Sequence, residues 1–197
     1  MTDYTIDAAG WCMAAQRIPS PNYDARPEGA EIDLLVVHNI SLPPGEFGGP
    51  YIAQLFTNTL DCDLHPYFDR LRALKVSAHF LVRRDGALLQ FVSTLARAWH
   101  AGVSCFDGRE RCNDFSIGVE LEGCDDQAFT AEQYEVLGQL SCAVGVRHPI
   151  RAVAGHEHIA PGRKTDPGPC FDWGMFRKCL IQNDAALRLE TTLVFPG

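Results

Sequence analysis

The sequence predicts a single α/β or α+β domain built around a mixed β-sheet. Its 197 residues are the length of one domain and leave little room for a second core. Hydrophobic residues make up 46% of the chain and charged residues 21%, as in ordinary globular proteins. Strand-length apolar runs are interspersed with helical patterns, without an internal repeat or a low-complexity tract, which favours one sheet with helices between its strands.

The first clear element is a strand near residue 31. The residues before it, 1–30, are rich in Pro, Gly, Ser and Ala without periodicity, which predicts an irregular arm laid over the domain. The aliphatic run 31–38 then has the length and composition of a buried strand, and it ends at His38 and Asn39. Three Pro and three Gly in 41–50 predict a long surface loop of the kind that frames binding sites.

A helix, a hairpin and a second long strand follow this loop. Pro50 opens the helix, whose apolar residues recur at helical spacing as far as Leu60. Residues 78–93 predict a hairpin around an Asp-Gly turn. In the strand 116–122 apolar residues alternate with a glycine and two glutamates, so one face is apolar and the other carries carboxylates.

The last third of the chain contains two helices with a strand and a loop between them. Thr130 and Gln133 form a capping-box signal for a helix that ends near Val144. A short strand follows over 150–154, and Pro and Gly make the segment 155–169 too irregular for regular structure. Asp172 is the predicted cap of a final helix that ends near Ile181.

Charge and cysteine content limit the partners and the compartment. The net charge of −8 argues against a protein that binds nucleic acid through phosphate neutralisation. No run approaches the roughly 18 apolar residues of a membrane span, and the first residues lack a signal-peptide pattern. Eight cysteines without a CxxC pair favour reduced thiols. We therefore expect a cytoplasmic protein with no nucleic acid or membrane partner and no evident protein partner.

Histidines and a carboxylate from separate parts of the chain could converge on a metal ion. His38 ends a strand, while His156 and His158 flank Glu157 shortly before Asp166. Two histidines and one carboxylate with an open fourth position are typical of a catalytic zinc site. The residues alone leave open whether His156 or His158 would complete the set, and any single histidine can also be an ordinary buried polar residue.

Two further groups could carry chemistry beside such an ion. Lys164 could stabilise an oxyanion in a tetrahedral intermediate, although it could also be a solvated cation in a loop. Glu120, on the carboxylate face of its strand, could act as the general base on water. Glu122 lies on the same face and competes for that role.

Five blocks of the sequence carry a resemblance to a known family: Val37–Pro50, Val76–His79, Arg97–Gly102, Arg109–Gly123 and Gly155–Pro169. They closely resemble N-acetylmuramoyl-L-alanine amidases, and in particular the cytoplasmic members that act on 1,6-anhydro muropeptides. The resemblance runs from about residue 10 to residue 177. It implies the fold shared by peptidoglycan recognition proteins and T7 lysozyme, a central mixed sheet flanked by helices.

The resemblance also implies roles for individual residues. Together with the irregular arm predicted at 1–30, it gives a zinc amidase domain at 31–183 and an unassigned tail at 184–197. One zinc ion is expected, and its implied ligands are His38, His156 and Asp166. The implied catalytic residues are Glu120 and Lys164. The muropeptide cleft would be lined by Asn39, Lys75, Arg111 and Ala160.

The function implied is zinc-dependent hydrolysis of the amide bond between the lactyl group of 1,6-anhydro-N-acetylmuramic acid and L-alanine of the stem peptide. The expected partner is therefore a small anhydro-muropeptide. In the family this reaction serves peptidoglycan recycling and in many hosts is linked to β-lactamase induction. The alternative is a non-catalytic muropeptide-binding module of the same fold, against which the presence of all three ligand types, Glu120 and Lys164 argues.

Overall fold

A computed structural model describes residues 2–183 and 194–195. In these ranges the strands are β1 (Gln16–Arg17), β2 (Tyr23–Asp24), β3 (Leu34–Ile40), β4 (Phe80–Val82), β5 (Leu88–Gln90), β6 (Arg97–Ala98), β7 (Cys105–Phe106), β8 (Arg109–Glu110), β9 (Ser116–Glu122) and β10 (Ala152–Gly155). The α-helices are α1 (Tyr51–Phe56), α2 (Ala131–Arg147), α3 (His156–Ile159) and α4 (Trp173–Asn183). Short 3₁₀ helices cover Cys62–Leu64, Pro66–Leu71 and Cys112–Asp114.

Six strands form one mixed sheet in the order β1-β5-β4-β9-β3-β10. At its centre β4, β9, β3 and β10 run parallel to one another, whereas β4 and β5 form the predicted antiparallel hairpin. The pairs β2-β6 and β7-β8 form separate two-stranded sheets. The expected mixed sheet is therefore confirmed. Its parallel strands end at one edge, where the polar ends of β3, β9 and β10 come together.

The two faces of the central sheet have different covers. Leu35, Val37 and Val119 pack in one hydrophobic cluster with residues of α2 and α4. Leu34 and Val36 point the other way, into a cluster with Phe115 and other residues near β7 and α3. The alternation in β9 is present as predicted, but all seven of its residues are buried, so its carboxylate face is covered as well.

The helix α2 begins as its sequence predicts. Thr130 accepts a hydrogen bond from the Gln133 backbone N–H at 3.2 Å, and Gln133 accepts one from the Thr130 N–H at 3.1 Å. The Gln133 amide also donates to the carbonyls of Val82 and Glu122, which fixes the helix to β4 and β9. Asp172 caps α4 as expected, accepting from the Met175 N–H at 2.9 Å. No helix in the described ranges has the length and apolar composition to cross a membrane.

Three predicted elements need correction. The arm at 1–30 is not wholly irregular, because β1 pairs with β5 and β2 with β6; strands of two residues are too short to show periodicity. The first helix, α1, ends at Phe56 and does not reach Leu60, and the Thr57 N–H and hydroxyl both bond to the Ala53 carbonyl at its end. A short helix, α3, lies within the segment predicted to lack regular structure.

Part of the tail at 184–197 also has an assigned place. The backbone of Val194 bonds to Val153 and Arg151, and so pairs with the outer edge of β10. The Phe195 ring lies 5.9 Å from that of Phe176 and packs on the main core. These contacts cover an edge that would otherwise present free backbone groups. The rest of the predicted tail lies outside the described residues, and the predicted boundaries at 30 and 183 stay predictions.

A buried histidine at the carboxyl end of α2 makes the fold sensitive to acid. Burial lowers the pKa of His148 to about 4 from the ordinary 6.5, and the nearby Arg147 charge lowers it further. Between these two values the unfolded chain binds more protons than the folded chain does. The free energy of unfolding therefore rises with pH in this window and is reduced in acid.

We expect His148→Asn to flatten this dependence. Both proteins should lose stability when the pH falls from about 7.5 to about 4.5. The fall in the free energy of unfolding should be smaller in the variant by on the order of 1 kcal/mol, after allowance for solvent screening. Urea unfolding of both proteins at both pH values measures the difference, and effects of the other histidines cancel in the comparison. An unchanged pH dependence in the variant would contradict the assignment.

Candidate metal centre and active site

The candidate site lies where three parallel strands end. His38 is near the end of β3 and lies opposite Glu120 of β9 in the strand pairing, so both side chains project from the same face of the sheet. His156 is the first residue after β10, on the other side of β3. Asp166 reaches the same place from the following loop, which is tied down by a hydrogen bond from the Glu157 N–H to the Asp166 carbonyl at 2.9 Å.

The structure brings His38, His156 and Asp166 together at hydrogen-bond distance. His38 Nδ1 lies 3.0 Å from His156 Nδ1 and 2.9 Å from Asp166 Oδ2. His156 Nδ1 lies 3.0 Å from the same carboxylate oxygen. Both histidines are buried and Asp166 is partly buried, so one lone pair from each side chain faces a common point.

This donor set fits a zinc ion. Neighbouring ligands in a tetrahedral site with metal–ligand bonds of about 2.1 Å are about 3.4 Å apart, close to the observed separations. The outer nitrogen of His156, Nε2, lies 3.0 Å from the Ala101 carbonyl and donates its hydrogen there, which leaves Nδ1 free as a ligand. Nitrogen and carboxylate donors also accept other divalent ions.

The neighbouring histidine, His158, is directed elsewhere. Its Nδ1 accepts a hydrogen bond from the Gly155 N–H at 2.9 Å, and its ring stacks edge-on against Trp173 at 5.6 Å. It follows His156 by two positions on α3, and two positions on a helix differ by about 200° in direction. The sequence left open which of the two histidines lies near His38. In the structure it is His156 and not His158.

Burial and mutual contact shift the protonation of this cluster. Burial lowers the pKa of His38 to about 4, although the nearby Asp166 carboxylate opposes the shift. For Asp166, burial acts to raise the pKa, but the close contacts with His156 and His38 outweigh it and hold the pKa well below its usual range. Neutral imidazoles and an ionised carboxylate are the forms that bind a metal ion.

Glu120 lies beside the cluster with an unused oxygen. Its carboxyl is buried, and no hydrogen-bond partner for Oε2 is found in the described chain. Burial raises the pKa of Glu120 well above its ordinary value, the Asp166 charge raises it further, and the Lys164 charge opposes both. A buried carboxylate of high proton affinity that lacks a partner in the protein is suited to exchange a proton with a substrate or water.

Glu122 points from the same strand but holds two loops. Its Oε1 accepts from the Gly48 N–H at 2.7 Å and its Oε2 from the Arg84 N–H at 3.1 Å. Both oxygens are therefore occupied by backbone donors of segments that flank the site. The geometry favours Glu120 for proton transfer and gives Glu122 the task of anchoring the loop at 41–50.

We expect Glu122→Gln to reduce stability while retaining chemistry. One of its two backbone donors would keep only a neutral acceptor and the other would lose its acceptor, which costs about 2 kcal/mol of unfolding free energy. Urea unfolding measures the loss, and the rate of the reaction at the site should stay within about tenfold of the parent rate. A loss of turnover comparable to that of a Glu120 variant would reverse the two assignments.

A cavity of about 250 Å³ opens on the candidate metal centre. Lys164, exposed in the loop, lines it together with Glu120 and Asp166. Asn39 lines it too, and its amide donates to Asp125 Oδ1 at 2.7 Å and to the Pro167 carbonyl at 3.0 Å. Asn39 thus also supports the loop that carries the candidate carboxylate ligand.

The other residues implied to line a cleft are divided between two places. Arg111 and Ala160 line a neighbouring cavity of about 480 Å³. Lys75 is exposed, and although its chain neighbours Leu74 and Val76 line the cavity on the metal centre, Lys75 does not. The structure therefore places Arg111 and Ala160 together and leaves Lys75 apart; the contacts of all three with substrate stay predictions.

Family comparison now identifies the class of protein. The family model described as N-acetylmuramoyl-L-alanine amidase matches residues 28–169, and so contains every residue of the candidate site. The chain belongs to this amidase family. It is 59% identical over 170 residues to the 1,6-anhydro-N-acetylmuramyl-L-alanine amidase AmpD of Citrobacter freundii, an alignment that covers 85% of this chain and 91% of that relative.

Solved structures of other amidases have the same fold. A crystal structure of a selenomethionine AmpD derivative superposes with a TM-score of 0.86 at 57% identity, covering 87% of this chain and 97% of that one. A second structure is AmiD from E. coli in complex with the substrate anhydro-N-acetylmuramic acid-L-Ala-D-gamma-Glu-L-Lys. It superposes with a TM-score of 0.56 at 29% identity, covering 78% of this chain and 60% of that one. Drosophila PGRP-LB shares the fold alone, with a TM-score of 0.54 at 14% identity over 78% and 83%.

The amidase carries supporting residues that sequence reasoning missed. His100 Nδ1 lies 2.9 Å from His38 Nε2. Arg163 donates to the Ala101 carbonyl at 2.9 Å, the same carbonyl that His156 uses. A signal for His100 was present, because Gly118 lies inside β9, and a glycine inside a strand often marks a close approach by another group. A Cβ at Gly118 would lie 2.4 Å from the His100 ring.

Proposed function

We propose that this amidase is zinc-dependent and hydrolyses the amide bond between the lactyl group of 1,6-anhydro-N-acetylmuramic acid and L-alanine of the stem peptide. The observation that carries the proposal is the convergence of His38, His156 and Asp166 within 4.8 Å, beside Glu120, whose Oε2 has no hydrogen-bond partner among the described residues. The substrate class rests on the activity named for the Citrobacter freundii relative and on the muropeptide bound by AmiD.

His38, His156 and Asp166 are the proposed zinc ligands. The bound ion supplies Lewis-acid chemistry, which acidifies water and polarises a carbonyl group. The protein contributes the arrangement of the ligand atoms, which lie about 3 Å from one another. Family membership supports zinc over other divalent ions, and the ion is one of the quantities that the experiment below determines.

Glu120 is the proposed proton carrier. Its Oε2 takes a proton from the attacking water as the new bond forms between the water oxygen and the lactyl carbonyl carbon. It returns that proton to the departing nitrogen of L-alanine as the carbon–nitrogen bond breaks. The buried position of Glu120 favours acceptance of the proton, while the Lys164 charge, which lowers the pKa of Glu120, favours the ionised form that must be present beforehand.

Lys164 is the proposed stabiliser of the oxyanion. Its ammonium group lines the cavity on the site and lowers the proton affinity of both Glu120 and His38 through its charge. A positive charge at this position favours negative charge on the carbonyl oxygen as the tetrahedral intermediate forms. The contacts of Asn39, Lys75, Arg111 and Ala160 with the muropeptide belong to the same proposal; Arg111 and Ala160 would meet it in the larger cavity.

The proposed place of this reaction is the recycling of peptidoglycan fragments in the cytoplasm. The compartment is supported by the eight cysteines, all of which lie in the described ranges and none of which forms a disulfide there. In a host with an inducible β-lactamase, removal of the stem peptide would lower the concentration of the inducing muropeptide.

Mass spectrometry of an anhydro-muropeptide incubated with the purified protein tests the proposal. Three samples are compared: protein as isolated, protein after chelation, and chelated protein after zinc is restored. Release of the intact stem peptide, its loss on chelation and its return with zinc are the expected results. Binding of the muropeptide without cleavage in every zinc condition would overturn the proposal and favour a recognition module. Activity that does not change on chelation would overturn the proposed metal dependence.

A further inference from the structure

A buried chain of polar groups leads away from the outer nitrogen of His38. His38 Nε2 lies 2.9 Å from His100 Nδ1, and His100 Nε2 lies 3.2 Å from Ser116 Oγ. Ser116 Oγ lies 2.6 Å from the backbone carbonyl of Cys112. His38, His100 and Ser116 are each less than 10% exposed, so water does not compete freely for these contacts.

The chemistry at the end of the chain sets the direction of every hydrogen bond in it. A carbonyl oxygen only accepts, so the single hydroxyl hydrogen of Ser116 is donated to Cys112. Ser116 Oγ then accepts from His100 Nε2–H, which leaves Nδ1 of the neutral His100 ring as an acceptor. His100 Nδ1 accepts in turn from His38 Nε2–H. The proton of neutral His38 is thereby placed on Nε2, and its Nδ1 lone pair faces His156 and Asp166.

The fold holds the His100 ring in this chain from several sides. Gly118 provides the space, since a Cβ there would lie 2.4 Å from His100 Cγ. Asn113 Oδ1 accepts from the backbone N–H groups of His100 and Ala101 at 3.1 and 2.8 Å, which fixes the backbone beneath the ring. His79 packs edge-on against the ring at a centroid distance of 5.7 Å. The described contacts of this ring include no carboxylate, which favours its neutral form.

We propose that His100 is a positioning residue which, through Ser116 and the Cys112 carbonyl, keeps His38 in the Nε2–H tautomer and so presents Nδ1 as a ready ligand for a divalent cation. The inference rests on the proposed metal site. His156 obtains the same tautomer from the Ala101 carbonyl, a fixed backbone acceptor. His38 depends instead on a side chain whose own proton position must be set, which is why the chain continues to Ser116.

Two substitutions of His100 that resemble each other in shape distinguish a hydrogen-bonding role from a packing role. In His100→Asn the side-chain oxygen replaces Nδ1 as an acceptor for His38, whereas His100→Leu has a similar shape and no acceptor. Zinc affinity is measured by competition with a chromogenic chelator on the full chain. We expect the Leu variant to bind zinc about 10- to 100-fold more weakly and the Asn variant to stay within about threefold of the parent protein. Equal weakening in both variants, or in neither, would overturn the inference.

Nitrogen NMR of the metal-free parent protein gives a second readout that needs no substitution. Long-range nitrogen–proton spectra of His38 should show the proton on Nε2, and a proton on Nδ1 would overturn the inference even if the Leu variant fails to fold. Ser116→Ala should produce a mixture of the two His38 tautomers. If the protein bound zinc without hydrolysing muropeptide, the proposed function would be contradicted but the role of His100 would stand. If it hydrolysed muropeptide with His38 in the Nδ1–H form, only the positioning role of His100 would be contradicted.

Discussion

Glu120→Gln should reduce turnover by about a thousandfold while zinc content stays unchanged. The amide is nearly isosteric with the carboxyl but cannot take a proton from water or return it to the leaving nitrogen. Burial of the group excludes bulk water as an easy substitute. Stem-peptide release measured at saturating muropeptide, together with zinc analysis of the same sample, checks both parts of this prediction.

The matched control is Glu122→Gln, two residues along the same strand. It makes the same chemical change on the same face of β9, but its oxygens are held by Gly48 and Arg84 and do not face the candidate metal centre. The expected contrast is a loss of turnover in the first variant and a loss of stability in the second. Retained activity in Glu120→Gln would remove Glu120 from the mechanism.

His156→Leu should abolish metal binding and hydrolysis together. The variant loses one of three donor atoms and leaves the Ala101 carbonyl without its histidine partner. We expect zinc affinity to fall by about a hundredfold or more and activity to stay absent when zinc is restored after chelation. Zinc titration with a competing chelator and the stem-peptide assay provide the two measurements.

His158→Leu is the control for that experiment. His158 belongs to the same short helix, but its hydrogen bond is with the Gly155 N–H and its ring contacts Trp173. Loss of this hydrogen bond should reduce stability by about 1 kcal/mol and leave zinc affinity unchanged. If the His158 variant lost zinc and the His156 variant retained it, the metal ligand would be His158 and not His156.

The parts of the fold with strong local patterns were predictable. The aliphatic run of β3, the alternation in β9 and the capping box of α2 each depend on neighbouring residues, and each is present. Convergence of His38 with a later histidine and Asp166 also followed from donor types and from the ends of strands. In contrast, β1 is two residues long and pairs through its backbone alone, so its side chains carry no pattern that would reveal it.

The choice between neighbouring candidates depended on distant contacts. His156 and His158 have the same chemistry and differ only in their direction on α3, a helix of four residues within a Gly- and Pro-rich segment. Glu120 and Glu122 share a strand face, and only the positions of Gly48 and Arg84 show that the second is occupied. Such partners come from loops remote in sequence, where single-sequence patterns give no information about spatial neighbours.

The separation of the three donor residues along the chain links ion uptake to protein synthesis. His38 is 118 positions from His156 and 128 from Asp166. The donors therefore cannot meet on the ribosome until most of the chain has emerged and β9, β3 and β10 have paired. An ion held by all three binds the folded state and not the unfolded chain, so it raises the free energy of unfolding by RT ln(1 + [ion]/Kd). Under the proposed zinc dependence, zinc supply should consequently affect how well each folded molecule resists proteolysis, in addition to how fast it works.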